Sequence, residues 1–250
     1  MDKTKVIWLD IGTHLAQEHR SLFGAASWFW WKIMRRFVAG NLLSRGKAIQ
    51  ISYILHTFSL RNKIQLAEDR FHFSFVEPNI NLISNNAFFN NRELFCLALG
   101  ANKKRVITIG ELFHPPGDNL SQGSSIYFEG KGYKDFESFI CCPIMDAKEF
   151  MARYKAYLDK RYRDYVVILR LNCEGAEDDA IYACKDVFGS SFKKIFGSLK
   201  DVKAVKGEAD NILLQSFMKK NELTFTEFSG DVTSWGSAFA GIKDLISEFD

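Results

Sequence analysis

Apolar residues in this chain fall into two kinds of block, and their alternation predicts its architecture. Uninterrupted aliphatic runs that end at a glycine or an acidic residue read as strands covered on both faces. Lys5–Gly12 (KVIWLDIG) and Val166–Glu177 (VVILRLNCEGAE) are the clearest. Phe71–Asn79 alternates, then breaks at Glu77-Pro78, and reads as a second strand. Glu93–Gly100 reads as a third, and Arg105–Gly110 with Ser124–Phe128 as two more in a hairpin-like excursion. Asp201–Val205 reads as a further core strand, with Leu223–Phe228 and Trp235–Gly241 as the last two.

Helical blocks separate them. Asp146-Ala-Lys-Glu149 is a capping box that opens a helix through about Arg161, with Phe150, Met151, Tyr154, Tyr157 and Leu158 on one face. Ala176–Phe188 places Ala180, Ile181, Cys184 and Val187 inward, Asn211–Lys220 forms another helix, and a short one falls within Asn81–Asn91. The sum predicts a single α/β domain over residues 1–250. Its core is a doubly wound, mostly parallel, Rossmann-like sheet with inserted helices and a small β excursion.

Residues 19–70 form an aromatic, basic insertion within that frame. A helix over Ala26–Val38 puts Lys32, Arg35 and Arg36 on one side and Trp30, Trp31, Ile33, Met34, Phe37 and Val38 on the other. A second helix is expected over Ile49–Phe58. Three readings stand side by side: a helix packed on the sheet, an oligomer contact, or an interfacial helix. In the last, Trp28, Trp30, Trp31, Lys32, Arg35 and Arg36 meet an anionic membrane or a lipid-linked substrate.

Bulk numbers narrow the classes. A net charge of +3 gives no argument for nucleic acid. Five cysteines, an odd number with no CxxC spacing, point to a reduced, cytoplasmic protein, peripheral to a membrane if the insertion docks. No apolar run reaches the roughly 18 residues that span a bilayer.

Candidate chemistry gathers where strands end. In open α/β sheets ligands bind beyond the carboxyl ends of the strands. The first strand ends in Asp10 and Gly12, followed by Thr13 and His14; the second ends in Glu77, Pro78 and Asn79. A carboxylate at Glu77 offers two acceptor oxygens to a ribose cis-diol. The strand from Val166 runs into Arg170, Asn172, Glu174 and the turn at Gly175, with Glu177, Asp178 and Asp179 where a helix start favours negative charge. The proline-glycine loop Phe113–Gly123 carries His114 and Asp118.

Three of these pieces, Val6-x-x-Leu-Asp-Ile-Gly12, Phe75-Val-Glu-Pro78 and Leu169-Arg-Leu-Asn-Cys-Glu-Gly-Ala-Glu177, follow one another as in the FkbM-type methyltransferases, which the chain resembles from Lys5 to about Val187. Ala98-Leu-Gly100 and the Gly123-Ser-Ser125 run fit the same pattern. The resemblance implies S-adenosylmethionine as cofactor and O-methylation of a sugar hydroxyl on a glycan or small-molecule acceptor. It places Asp10, Gly12 and Thr13 along the methionine part of the cofactor and Glu77, with Pro78 and Asn79, at the adenosine ribose. His14 is the candidate general base, Glu174 a second one, and Asn172 stands beside them; His114, Asp118 and Arg170 are candidates for the acceptor side. No metal is expected, although Asn172, Glu174 and His114 would be its donors. Two departures keep a non-catalytic binding or assembly module open as the alternative. Gly12-Thr-His-Leu-Ala16 replaces Gly-Ala-Asn-x-Gly, and Asn172 stands where the pattern has an aspartate; an amide takes up no proton near neutrality.

Overall fold

The computed structural model describes residues 4–14, 16, 19, 37, 70–84, 92–101, 107–114, 124–127 and 138–227. Strands β1 (Lys5–Ile11), β2 (Phe71–Val76) and β3 (Glu93–Phe95) come first, with a short helix α1 (Ile80–Ser84) before β3. A small-sheet group follows: β4 (Ala98–Gly100), β5 (Ile107–His114) and β6 (Ser138–Asp146). The second half runs α2 (Ala147–Asp159), β7 (Tyr165–Leu171), α3 (Glu177–Phe188), β8 (Phe192–Gly197), α4 (Lys200–Lys206), α5 (Glu208–Lys220) and β9 (Thr224–Glu227).

Six strands form one sheet in the order β3-β2-β1-β7-β8-β9, and every pairing in it is parallel. The chain moves outward one way through β2 and β3, returns through α2 to the middle, then moves outward the other way. The reversal between β1 and β7 is the switch point of a Rossmann-like α/β fold, the architecture expected from the alternating blocks.

Both faces of the central strands are buried. Ile7, Leu9 and Ile11 of β1 and Val167, Leu169 and Leu171 of β7 pack with Phe150, Met151, Tyr154 and Leu158 of α2 and Ala180, Ile181 and Cys184 of α3. On the opposite face Trp8 stacks on Phe196 at 5.5 Å, and Phe75 packs with Ala16 and Ile83 of α1. At the β2–β3 edge a polar group is fully bonded. Tyr154 donates to Ser74 Oγ at 2.6 Å, Ser74 and Tyr157 bond Glu93, and His72 lies between Glu93 (3.2 Å) and Tyr162 (3.0 Å). Burial would raise the Glu93 carboxyl, but the bonds from His72, Ser74 and Tyr157 outweigh it and leave it below its ordinary value.

Three expectations are corrected. Glu93–Gly100 is not one strand: Leu97 N–H folds back onto the Phe95 carbonyl, so β3 completes the large sheet and β4 begins the small one. Asp201–Val205 is helical, because Val202 and Val205, three apart, turn to one side; the strand there is β8, whose apolar residues are interrupted by Lys193 and Lys194. Of the excursion, β5 is a strand, but among the described residues 124–127 the pairing is the single bridge of Ser125 to Phe113. The true partner of β5 is β6, antiparallel from Ile107↔Met145 to His114↔Ser138. The strand over Trp235–Gly241, the helix over Ile49–Phe58 and nearly all of the 19–70 insertion lie outside the described residues. Within the insertion Phe37 is helical and exposed.

The N-cap of the expected capping box forms, Asp146 Oδ1 accepting Glu149 N–H at 3.0 Å, while the Glu149 carboxylate pairs with Arg153. Asp146→Ala should cost about 1 kcal/mol of unfolding free energy, read as a lower urea midpoint at unchanged slope. An unchanged midpoint would show that the cap contributes nothing.

Candidate ligand crevice at the strand switch point

The carboxyl ends of β1, β2 and β7 carry most of the residues singled out in the sequence, and backbone bonds join them. Gly12 and Thr13 N–H both donate to the Val76 carbonyl (3.0 and 3.3 Å), and Asn172 N–H donates to Ile11 O at 3.1 Å. Thr13 Oγ1 bonds the Asp10 carbonyl at 3.2 Å. Gly12 adopts φ +72°, and a Cβ there would lie 2.1 Å from the Asn172 carbonyl oxygen. Only glycine lets the two loops approach so closely.

Beneath this junction Asp10 and Arg170 face each other in register across β1 and β7. Arg170 Nη1 donates to Asp10 Oδ1 at 3.0 Å and to the Gly12 carbonyl at 2.9 Å, with both side chains essentially inaccessible. Arg170, a candidate for the acceptor side, is placed by the structure in the sheet interior. It is consumed by Asp10 and positions the β1 loop from below. Asp10 Oδ2 is buried and receives no hydrogen bond from the described residues.

Glu77 closes the β1 loop from the β2 side. Its Oε2 accepts His14 N–H at 2.7 Å and its Oε1 accepts Asn79 N–H at 2.9 Å. Burial pushes the Glu77 carboxyl above its ordinary value, against the opposing pull of His14 and these two backbone groups. Asn79 spends its side chain on Asn81 N–H at 3.0 Å, starting α1, with Pro78 between it and Glu77.

On the β7 side Glu177 folds back over the turn. Its two oxygens accept Cys173 N–H at 3.0 Å and Gly175 N–H at 2.8 Å. Burial pushes the Glu177 carboxyl up to about 7, opposed by its own and the Gly175 backbone N–H groups and aided by Asp201. Glu174 adopts φ +55°, as His14 does at +52° and Ala16 at +55°. Left-handed backbone at non-glycine residues is uncommon, and among the described residues three of the four cases lie in the two loops that meet at the switch point.

The small sheet is tied to this rim by residues that the sequence did not single out as site residues. Ser125 Oγ donates to the Glu174 carbonyl at 2.7 Å, and Tyr127 OH donates to Asp179 Oδ2 at 2.9 Å. Lys206 bonds Asp178 at 2.6 Å and Asp179 at 2.9 Å and lies 5.0 Å over the Tyr127 ring. Burial disfavours the Lys206 ammonium, but the two carboxylates win and raise it above its usual range. Nothing local in the sequence marks Tyr127 or Lys206.

The switch point therefore gathers Gly12, Thr13, His14, Glu77, Pro78, Asn79, Asn172 and Glu174 above Asp10, with His114 linked to it through Ser124 and Ser125. Asp118 lies outside the described residues. Among the described residues no group of three or more His, Cys, Asp or Glu side chains is arranged to hold a metal ion, and no helix is long and apolar enough to cross a membrane. The chain matches no protein-family model, no curated protein and no solved structure.

Glu177 sets a pH dependence. Its folded value of about 7 lies above an ordinary 4.5, so the unfolded chain releases this proton first. Its contribution to stability is full below about pH 4.5 and is lost as pH rises to about 7, a change of order 3 kcal/mol. The stability of wild type minus that of Glu177→Gln, from denaturation at stepped pH, should fall by about that amount over the window. A constant difference would show that the carboxyl does not titrate there.

Proposed function

We propose that this protein binds S-adenosylmethionine in the switch-point crevice and transfers its methyl group to a hydroxyl of a sugar-containing acceptor, a glycan or glycosylated small molecule. The observation that carries the reading is Glu77. A buried carboxylate stands at the end of β2, beside the glycine turn of β1, with each oxygen receiving one backbone N–H. Each oxygen keeps acceptor capacity, so the pair suits two adjacent hydroxyls of a ribose.

The donor set also fits the charge of the ligand. The described carboxylates nearest the rim are Glu77 and Glu174; Asp10 is paired with Arg170 beneath it, and Lys206 is held by the Asp178–Asp179 pair. Glu177 fills the backbone N–H groups of the β7 turn. A nucleoside bearing a positive sulfur is better matched to this rim than a dinucleotide with its pyrophosphate.

When bound, the cofactor supplies a methyl group on a good leaving group. The chain's task is alignment and removal of the acceptor proton. Gly12 and Thr13 would lie along the amino-acid part, Glu77 would hold the ribose, and the Asn172–Gly175 turn would face the reacting end. Asp10 and Arg170 keep the β1 loop in place.

A second reading is a binding module without turnover, and one observation favours it: both Glu77 oxygens already serve to close the loop, leaving the carboxylate 5% exposed. Binding of S-adenosylhomocysteine without any label transferred from S-adenosylmethionine to a panel of methyl glycosides would select that reading.

Calorimetry decides the first point. Wild type should bind S-adenosylhomocysteine, and Glu77→Gln should bind it roughly 10–100-fold more weakly, the worth of hydrogen bonds to a charged acceptor. Affinity should rise with pH as the raised Glu77 carboxyl ionises. No saturable heat with wild type would remove the proposal.

A further inference from the structure

The two faces of the small sheet differ. Ile107, Ile109 and Phe139 are exposed on one side, Ile109 at 72%. Leu112 and Cys142 are buried on the other with Ala98, and His114, two residues after Leu112, shares their side. One tie brings this end of the small sheet to the end of β7. Ser125, paired to Phe113 in both directions (3.0 and 3.1 Å), hydrogen-bonds the Glu174 carbonyl at the end of β7.

His114 is buried and held. Its Nδ1 lies 2.6 Å from Ser124 Oγ, the residue beside the one that docks on Glu174. An imidazole oriented by a hydroxyl, at the closed end of a strand whose first five residues are largely exposed, is the arrangement of a positioned base.

His14 is placed differently. Its backbone N–H is bonded to Glu77 at 2.7 Å, so the residue sits on the β2 side, at the ribose end. With the ribose on the β2 side, the reacting end of the ligand falls toward β7, where Ser125 brings the small sheet down.

We infer that His114, oriented by Ser124, is the catalytic base that faces the acceptor hydroxyl, in place of His14. The assignment rests on the proposed methyl transfer. As the acceptor oxygen forms its bond to the methyl carbon, the carbon–sulfur bond breaks and its electron pair goes to sulfur, leaving a neutral thioether. The hydroxyl proton passes to the His114 imidazole. Tyr127, bonded to Asp179 beneath Lys206, fixes the wall that carries Ser124 and is a positioning residue only.

The test needs no acceptor. Histidine-labelled protein is titrated by NMR in two saturated complexes, one with S-adenosylhomocysteine and one with S-adenosylmethionine, and H114Q identifies the His114 signal by its loss. A positive sulfur within about 6 Å disfavours a protonated imidazole, so the His114 midpoint should fall by about one unit from the first complex to the second, with His14 moving less. Equal His114 midpoints, a larger shift at His14, or no titration of His114 between about pH 5 and pH 9 would overturn the assignment while leaving ligand binding intact. Failure of both ligands to saturate the protein would instead remove the methyl-transfer reading, and this inference with it.

Discussion

A charged pair buried where the chain reverses its winding direction holds the rest of the structure in register. Asp10 and Arg170 come from strands 160 positions apart in sequence and meet at 3.0 Å with no access to water. At that distance and an effective dielectric of about 20, their attraction is worth about 5 kcal/mol. Removing both charges from water costs several kcal/mol for each. The pair therefore adds little net stability. What it provides is specificity: neither charge tolerates a register in which the other is displaced by one residue, since every side chain would then change face. Arg170 extends the constraint by bonding the Gly12 carbonyl, so the same side chain that aligns β1 with β7 also shapes the loop above them.

Around that point the rim is built by carboxylates that accept backbone N–H groups. Glu77 closes the β1 loop and Glu177 closes the β7 turn, each with two such bonds. Both are buried, and both are raised by loss of hydration. On the proposed reading, a ligand's hydroxyl or positive charge would relieve this desolvation. The small sheet completes the crevice as a wall, tied down by Ser125, Tyr127 and the Lys206 bridge and not by apolar packing alone.

The main sheet was legible because its strands obey simple rules. Continuous aliphatic runs marked β1 and β7, the capping box marked α2, and the break at Glu77-Pro78 marked the end of β2. What escaped were features with no local signature. β6 carries Pro143 and two cysteines inside an otherwise ordinary run, and proline argues against a paired strand. The lysines within Phe192–Phe196 masked β8, although one of them, Lys194, lies over the Phe196 ring. Arg170 in an apolar strand looked like a group reaching for a ligand; only the register, Asp10 opposite Arg170, shows it turned inward. The ties made by Ser125, Tyr127 and Lys206 span 27 to 52 positions of sequence and depend wholly on topology.

The dependence of this architecture on the Asp10–Arg170 pair is most directly measured by a double-mutant cycle in urea with Asp10→Asn, Arg170→Met and the two combined. Each single change leaves a buried group uncompensated and should cost about 3–5 kcal/mol, while the double variant should cost at least about 2 kcal/mol less than their sum. Costs that simply add, or single variants as stable as wild type, would contradict the account.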